Sequence, residues 1–277
     1  MKYFIDLEAT QFNHEIISIG CVREDGEKYY SLVRPKNMST VTNFITNLTG
    51  ISKEMLKEAR RSDDVFEEFY SWISKINEPA EFFCYGDVDD DFLRKNLMDR
   101  TNSLKAQASI SLILTNLTDY SKVVKKHFEL SKSIALKKVM NYYYPNDEHV
   151  SHNALSDAEM LYYIYKSVEN ETEVKGVPFP DYIDIPIFKN ENDFKNFQID
   201  RLNNSDVCKE TYNTLNDAVD YIMTLMKKQG DCQCKSNNVA RRIMNAINNK
   251  QKYFGFKWVV HVKRDLIENG ANNYENK

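Results

Sequence analysis

The sequence predicts an α/β protein of two domains. The larger, residues 1–174, alternates strands with helices; the smaller, residues 191–277, is mostly helical. Three observations carry this. The first part of the chain holds short apolar runs bounded by turn residues, as strands are. Between and after them stand segments whose apolar residues recur at helical spacing. Three of the six prolines, Pro178, Pro180 and Pro186, gather in one short stretch, which marks 175–190 as a linker. A length of 277 residues agrees with two domains.

In chain order, residues 2–7 read as a strand and Ile16 to Val22 as a second. Glu24-Asp25-Gly26-Glu27 is a hairpin turn signal before a third strand, Lys28 to Val33. An irregular stretch after Pro35 contains Leu48-Thr49-Gly50-Ile51. Ser62 is placed to cap a helix whose apolar positions are Val65, Phe66, Phe69, Trp72, Ile73 and Ile76. Glu81 to Tyr85 reads as a strand, and Gly86 turns the chain into a helix over about 89–100. The region 105–142 reads as mainly helical, and Leu155 opens a further helix through Met160, Leu161, Ile164 and Tyr165. In the smaller domain Thr214 caps a helix through Ile222. A second helix, Asn238 to Asn249, places Val239, Ile243, Ala246 and Ile247 on one face, and a basic turn then leads to a strand around Trp258.

Bulk composition narrows the function classes. Hydrophobic residues make up 42% and charged residues 28%, as in an ordinary globular protein. The net charge of −4 excludes a bulk polycation, so any nucleic-acid contact must use a local basic surface. No apolar run reaches the length of a membrane span, and the N-terminus lacks a signal-peptide pattern. The cysteines, Cys21, Cys84, Cys208, Cys232 and Cys234, are odd in number and scattered. This fits reduced thiols and a cytoplasmic protein without a membrane partner. Cys232 and Cys234 lack the second pair that a structural zinc site needs.

The chemistry concentrates in three short segments. Asp6 and Glu8 sit one residue apart on a strand, so both project from one face. Two like charges side by side and partly buried need a compensating cation, and hard divalent metals favour carboxylate oxygens. The second segment, Tyr85-Gly86-Asp87-Val88-Asp89-Asp90-Asp91-Phe92-Leu93, clusters acids where a strand gives way to a helix. In the third, His152-Asn153-Ala154-Leu155-Ser156-Asp157-Ala158, a histidine stands five residues before an aspartate at a helix start.

In this order and spacing the segments resemble the DEDDh 3′–5′ exonuclease superfamily, the group of RNase T and the proofreading subunit of bacterial DNA polymerase III. D-x-E matches Asp6 and Glu8, and H-x-A-x-x-D-A matches His152 to Ala158. The apolar pair Phe92-Leu93, three and four residues on, selects Asp89 from its acidic neighbours, and Thr49-Gly50-Ile51 matches the TGI stretch. Asp87, Asp90 and Asp91 then read as a solvated helix start. The resemblance covers roughly residues 1–170.

It implies an RNase H-like mixed β-sheet flanked by helices. It also implies 3′–5′ hydrolysis of DNA or RNA, releasing nucleoside 5′-monophosphates from a single-stranded 3′ end. The cofactors would be two Mg²⁺ or Mn²⁺ ions, about 3.5–4 Å apart. By the family's scheme Asp6 bridges both ions, Glu8 and Asp157 complete one site, Asp89 serves the other, and His152 is the general base. The chain departs from the family's D-x-E-T-T-G at Ala9-Thr10-Gln11, leaving Thr10 to meet the terminal nucleotide. Phe12 is read either as a base-stacking or as a buried ring, and His14, His127, His149 and His261 as surface residues.

The C-terminal segment loosely resembles helix-turn-helix modules found beside DNA-cutting domains in intron-encoded endonucleases. The pattern is a capped helix, a second helix and Gly255-Phe256-Lys257-Trp258. That resemblance implies that Arg241, Arg242, Asn245, Lys250 and Lys252 meet phosphates or base edges. The same residues would equally serve as the solvated face of a packed helix, or in an oligomerisation module. Two alternatives stand beside the exonuclease reading: a binding module on an exonuclease fold, and a nuclease for short oligonucleotides or signalling nucleotides.

Overall fold

Strand β1 (Lys2–Ala9) turns Tyr3, Ile5 and Leu7 into an apolar core and Phe4, Asp6 and Glu8 to the opposite side. The computed structural model describes residues 1–99, 102–171, 178–229, 235–263 and 265–267, and the chain divides into two units, Met1–Glu173 and Val174–Lys277. In the first unit β1 pairs antiparallel with β2 (Ile16–Arg23), and β2 with β3 (Lys28–Arg34). Two short helices, α1 (Asn43–Thr49) and α2 (Lys53–Glu58), follow. Thr49 and Ile51 of the TGI stretch lie at their junction, where Ile51 packs with Ile17, Val41, Ile45 and Leu56.

A two-residue strand, β4 (Arg60–Arg61), pairs with the end of β3 and leads directly into α3 (Ser62–Ile73). This overturns the expected cap. Arg61 occupies the cap position, fixed there by pairing with Arg34, and Ser62 is the first helical residue. The Ser62 hydroxyl is buried without a partner. The apolar spacing of α3 holds, for Val65, Phe66, Phe69, Trp72 and Ile73 are all buried. Each such side chain contributes about 1.5–3 kcal/mol by leaving water.

Then come β5 (Glu81–Cys84), α4 (Val88–Leu97), α5 (Leu104–Thr115), β6 (Leu117–Asp119), α6 (Tyr120–His127), α7 (Leu136–Tyr143) and α8 (Ala154–Asn170). The six-stranded sheet has the order β4-β3-β2-β1-β5-β6, with β5 parallel to both β1 and β6. This is a mixed sheet flanked by helices, as expected. Strand β6 falls within the stretch read as helical; three residues are too few to display alternation.

The second unit holds α9 (Leu215–Lys228) and α10 (Ser236–Asn248) near the expected positions, with Thr214 and Asp217 forming a capping box on α9. Its helices pack on a four-stranded antiparallel sheet of β7 (Phe197–Leu202), β8 (Cys208–Tyr212), β9 (Lys252–Tyr253) and β10 (Phe256–Val262), in the order β8-β7-β10-β9. Only β10 is foreseen in the sequence. Strand β7 hides because Arg201 fills a core-facing position; its guanidinium lies between the Tyr221 and Phe256 rings, 4.3 and 4.6 Å from their centroids. Strand β8 hides because four of its five residues are exposed.

Of the stretch read as a linker, 175–177 lie outside the described residues, and Phe188 packs in the second core against Phe194. Cys21 and Cys84 are buried free thiols and Cys208 an exposed one; Cys232 and Cys234 lie outside the described residues. Among the described residues no helix is long and apolar enough to cross a membrane.

Candidate active site

The end of β1 delivers two carboxylates because its two neighbours behave differently there. Strand β5 pairs with β1 only as far as Phe4 opposite Phe83, so the β1 edge beyond is open. The Leu7 N–H on that edge donates to Asp89 Oδ1 at 2.9 Å, hooking the first turn of α4 onto β1. Gly86 makes the turn from β5 into α4 with φ +105°, a conformation that side chains with a Cβ avoid. Its N–H donates to Asp119 Oδ1 at 2.8 Å, which ties this turn to the start of α6.

On the other edge, β2 places Gly20 opposite Asp6, and cross-strand partners share a face. A Cβ at Gly20 would stand 2.2 Å from the Ala154 carbonyl carbon and 2.3 Å from the Leu155 nitrogen. Only glycine lets the first turn of α8 lie this close to the sheet. Asn153 caps α8, its side chain accepting from the Ser156 N–H at 3.1 Å, and Asp157 sits in the first turn where the helix dipole favours a carboxylate. Asp157 Oδ2 also accepts from the His152 N–H at 2.7 Å.

Asp6, Glu8 and Asp157 thereby bring one carboxylate oxygen each within 4.8 Å of one another, a spacing that fits a metal ion. The charges oppose each other strongly. Burial, then Asp89, Asp157 and Glu8, raise the Asp6 carboxyl well above the usual range. Burial, then Asp157 and Asp89, push Glu8 up to about 8. Burial pushes Asp89 up to about 7, against the favourable Leu7 N–H. Asp157 is also raised, burial outweighing the bond from the His152 N–H. Four carboxylates so placed fit divalent cations bound by oxygen donors.

All five expected catalytic residues and Thr10 line one cleft of about 900 Å³. Thr10 is 1% exposed, and its hydroxyl oxygen accepts from the Glu15 N–H at 3.0 Å, so it braces the turn after β1. Phe12 is 69% exposed and therefore not a core ring. Asp87 and Asp91 are exposed and Asp90 pairs with Arg94, as expected of a helix start. Arg241, Arg242, Lys250 and Lys252 lie in the second unit: the arginines exposed on α10, the lysines exposed just after it.

Several cleft residues escape the sequence reading. Phe44 and Leu48, one turn apart on α1, present exposed apolar surface to it. Their spacing beside the TGI stretch is the signal that points to them. His14, read as a surface residue, lines the cleft and packs edge-on against Phe92 at 5.3 Å. Asp119 and Gly20 carry no signal in sequence, because their importance lies in contacts across the fold.

Known proteins match this architecture. The family model described as exonuclease, RNase_T, matches residues 3–165. The DNA polymerase III subunit epsilon of Buchnera aphidicola subsp. Schizaphis graminum is 25% identical over 162 residues, which cover 55% of this chain and 64% of that protein. The solved nuclease domain of 3′hExo, a DEDDh family member, bound to rAMP, has a TM-score of 0.51 at 19% identity, over 61% of this chain and 90% of that one. A 3′-exonuclease solved in 3′-end-specific recognition of histone mRNA stem-loop has a TM-score of 0.50 at 17% identity, over 63% and 65% of the two chains. With its family model spanning more than half the sequence and its four carboxylates and histidine in one cleft, the chain belongs to the DEDDh 3′–5′ exonuclease superfamily.

Proposed function

We propose that this protein hydrolyses DNA or RNA from a 3′ end, releasing nucleoside 5′-monophosphates, with two Mg²⁺ or Mn²⁺ ions held by Asp6, Glu8, Asp89 and Asp157. The observation that carries the reading is the convergence of carboxylate oxygens from β1 and α8 within 4.8 Å, on a cleft that also holds Asp89 and His152. When bound, the cations supply positive charge to the scissile phosphate and lower the pKa of water. Asp6, Glu8 and Asp157, whose oxygens converge, would hold a cation together, and Asp89 beside them in the cleft would add a fourth carboxylate. Its Oδ1 is anchored on the Leu7 N–H, which would leave the other oxygen to a cation.

His152 takes the proton from the attacking water, a role that fits imidazole chemistry near neutral pH. It stands at the cleft, exposed, with its backbone fixed to Asp157. Phe44 and Leu48 offer the apolar surface on which a terminal base can rest. The test is turnover of a single-stranded oligonucleotide with Mg²⁺, with EDTA, and by Asp6→Ala. Loss of activity in both latter arms supports the reading; wild-type turnover in either contradicts it.

The second unit is proposed to hold nucleic acid through α10. Asn238, Arg241, Arg242, Asn245 and Asn249 are exposed at helical spacing on one side of it. No Asp or Glu occurs in residues 233–264 of a chain whose net charge is −4. Among the described residues neither Arg241 nor Arg242 forms an ion pair; Arg241 makes only a 3.5 Å hydrogen bond to Asn238. Arginine and asparagine are the residues that meet phosphates and base edges.

A further inference from the structure

The ring of His152 has no anchor of its own: among the described residues it makes no hydrogen bond or ion pair. Its backbone is left-handed, φ +63°, in a residue that carries a Cβ. Such a conformation persists where surrounding contacts over-determine it. The direction of the ring at the cleft therefore depends on what holds the segment between α7 and α8.

That segment is pinned by a continuous chain of polar side chains. Lys137 on α7 donates to Asp147 Oδ2 at 2.5 Å, to the Asp147 carbonyl at 3.3 Å and to the His149 carbonyl at 2.7 Å. The other Asp147 oxygen, Oδ1, pairs with His149 Nδ1. His149 Nε2 faces Glu159 Oε2 on α8 at 3.1 Å, and Glu159 Oε1 pairs with Lys28 on β3. The Asp147 side chain is only 4% exposed. Strand, two helices and connecting loop are joined, and every side-chain polar atom of Asp147, His149 and Glu159 has a partner. A polar network satisfied throughout is rigid.

We propose that Lys137, Asp147 and His149 are positioning residues, a clamp that fixes the loop carrying His152 and so aims the base into the cleft. The proposal rests on the reading of His152 as that base. Lys137 lines the cleft, where a lysine would ordinarily be taken for a phosphate ligand. Here the acceptors of the loop can occupy all its N–H donors. Its work is to hold Asp147 and the His149 carbonyl.

The clamp is tested with the full chain in five variants: Asp147→Asn, His149→Gln, Lys137→Met, Lys137→Arg and His152→Asn. Readouts are steady-state kinetics on a single-stranded oligonucleotide with Mg²⁺, amide hydrogen exchange at His152, and thermal melting. Asp147→Asn and His149→Gln should lower kcat about tenfold or more, with KM moved less than about twofold. Exchange at the His152 N–H should quicken in both, with melting near that of the wild type. Lys137→Arg should retain more kcat than Lys137→Met. Wild-type kcat in Asp147→Asn and His149→Gln, while His152→Asn abolishes turnover, overturns the clamp. So does a raised KM at unchanged kcat in Lys137→Met, the signature of a phosphate ligand. If His152→Asn keeps the wild-type rate, the base assignment falls instead. Exchange at His152 then decides the clamp alone, and unchanged exchange in Asp147→Asn refutes it.

Discussion

The cleft of the first unit and the α10 face of the second use charge in opposite ways. In the cleft four carboxylates are crowded at the end of β1; burial raises all four, and repulsion from neighbouring carboxylates adds to it at Asp6, Glu8 and Asp89. On α10 the charges are basic, exposed and free of ion pairs among the described residues. A site that does chemistry tolerates strain that a cation relieves on binding. A surface proposed to hold a polyanion needs its charges accessible and solvated until the polyanion's counterions are released.

The largest effect should come from breaking the first of these. Asp6→Ala removes a carboxylate that the other three all oppose, and a loss of several kcal/mol of transition-state stabilisation corresponds to about a thousandfold in rate. Thermal melting in EDTA should hold or rise, because a buried carboxyl whose ionisation its neighbours oppose is gone. A collapsed melting temperature would show that Asp6 serves the fold.

Gly20→Ala is expected next. The added Cβ must displace the α8 backbone, an overpacking that costs about 1–3 kcal/mol of stability. Displaced by about 1 Å, Asp157 and His152 would lose about a hundredfold in kcat. Wild-type kinetics in this variant would contradict the positioning role of the close approach between β2 and α8.

Without metal, stability should fall as pH rises. A carboxyl raised in the folded state, such as Glu8 from 4.5 to about 8 or Asp89 from 3.8 to about 7, binds more protons folded than unfolded. Its contribution is complete below the ordinary carboxylate range and is lost as pH climbs through the folded value. Melting in EDTA should therefore drop between about pH 4 and pH 8, and Mg²⁺ should restore the upper end by binding the ionised form. A melting temperature that is flat with pH in EDTA would mean that burial and repulsion do not raise these carboxyls.

The smallest effect belongs to the second unit. Arg241→Ala with Arg242→Ala should weaken nucleic-acid binding and reduce the slope of log affinity against log salt by about 0.7–0.9 for each phosphate that the arginines neutralise. Unchanged affinity and slope would leave α10 as a solvated helix face.

What the sequence discloses follows the same division. That Asp6, Glu8, Asp89, His152 and Asp157 gather in one cleft is legible from the order and spacing of their three segments. Phe92-Leu93 singles out Asp89 since Leu93 is fully buried in the core and sets the register of α4. Gly20 is illegible because its role is defined by a helix that arrives 134 residues later, at Ala154. The Ser62 cap misleads because pairing of Arg61 with Arg34 moves the helix start. Strand β7 is obscured by one buried arginine whose partners, Tyr212, Tyr221 and Phe256, are distant in sequence.

The proposed reaction is a metal-dependent attack at the 3′ end. It is tested most directly by a time course on a 5′-labelled single strand with Mg²⁺, with the released products identified. A ladder shortening from the 3′ end, nucleoside 5′-monophosphates as product, and no shortening in EDTA or with Asp6→Ala are the expected results. Early release of the labelled 5′ nucleotide, or an undiminished ladder in EDTA, would contradict it.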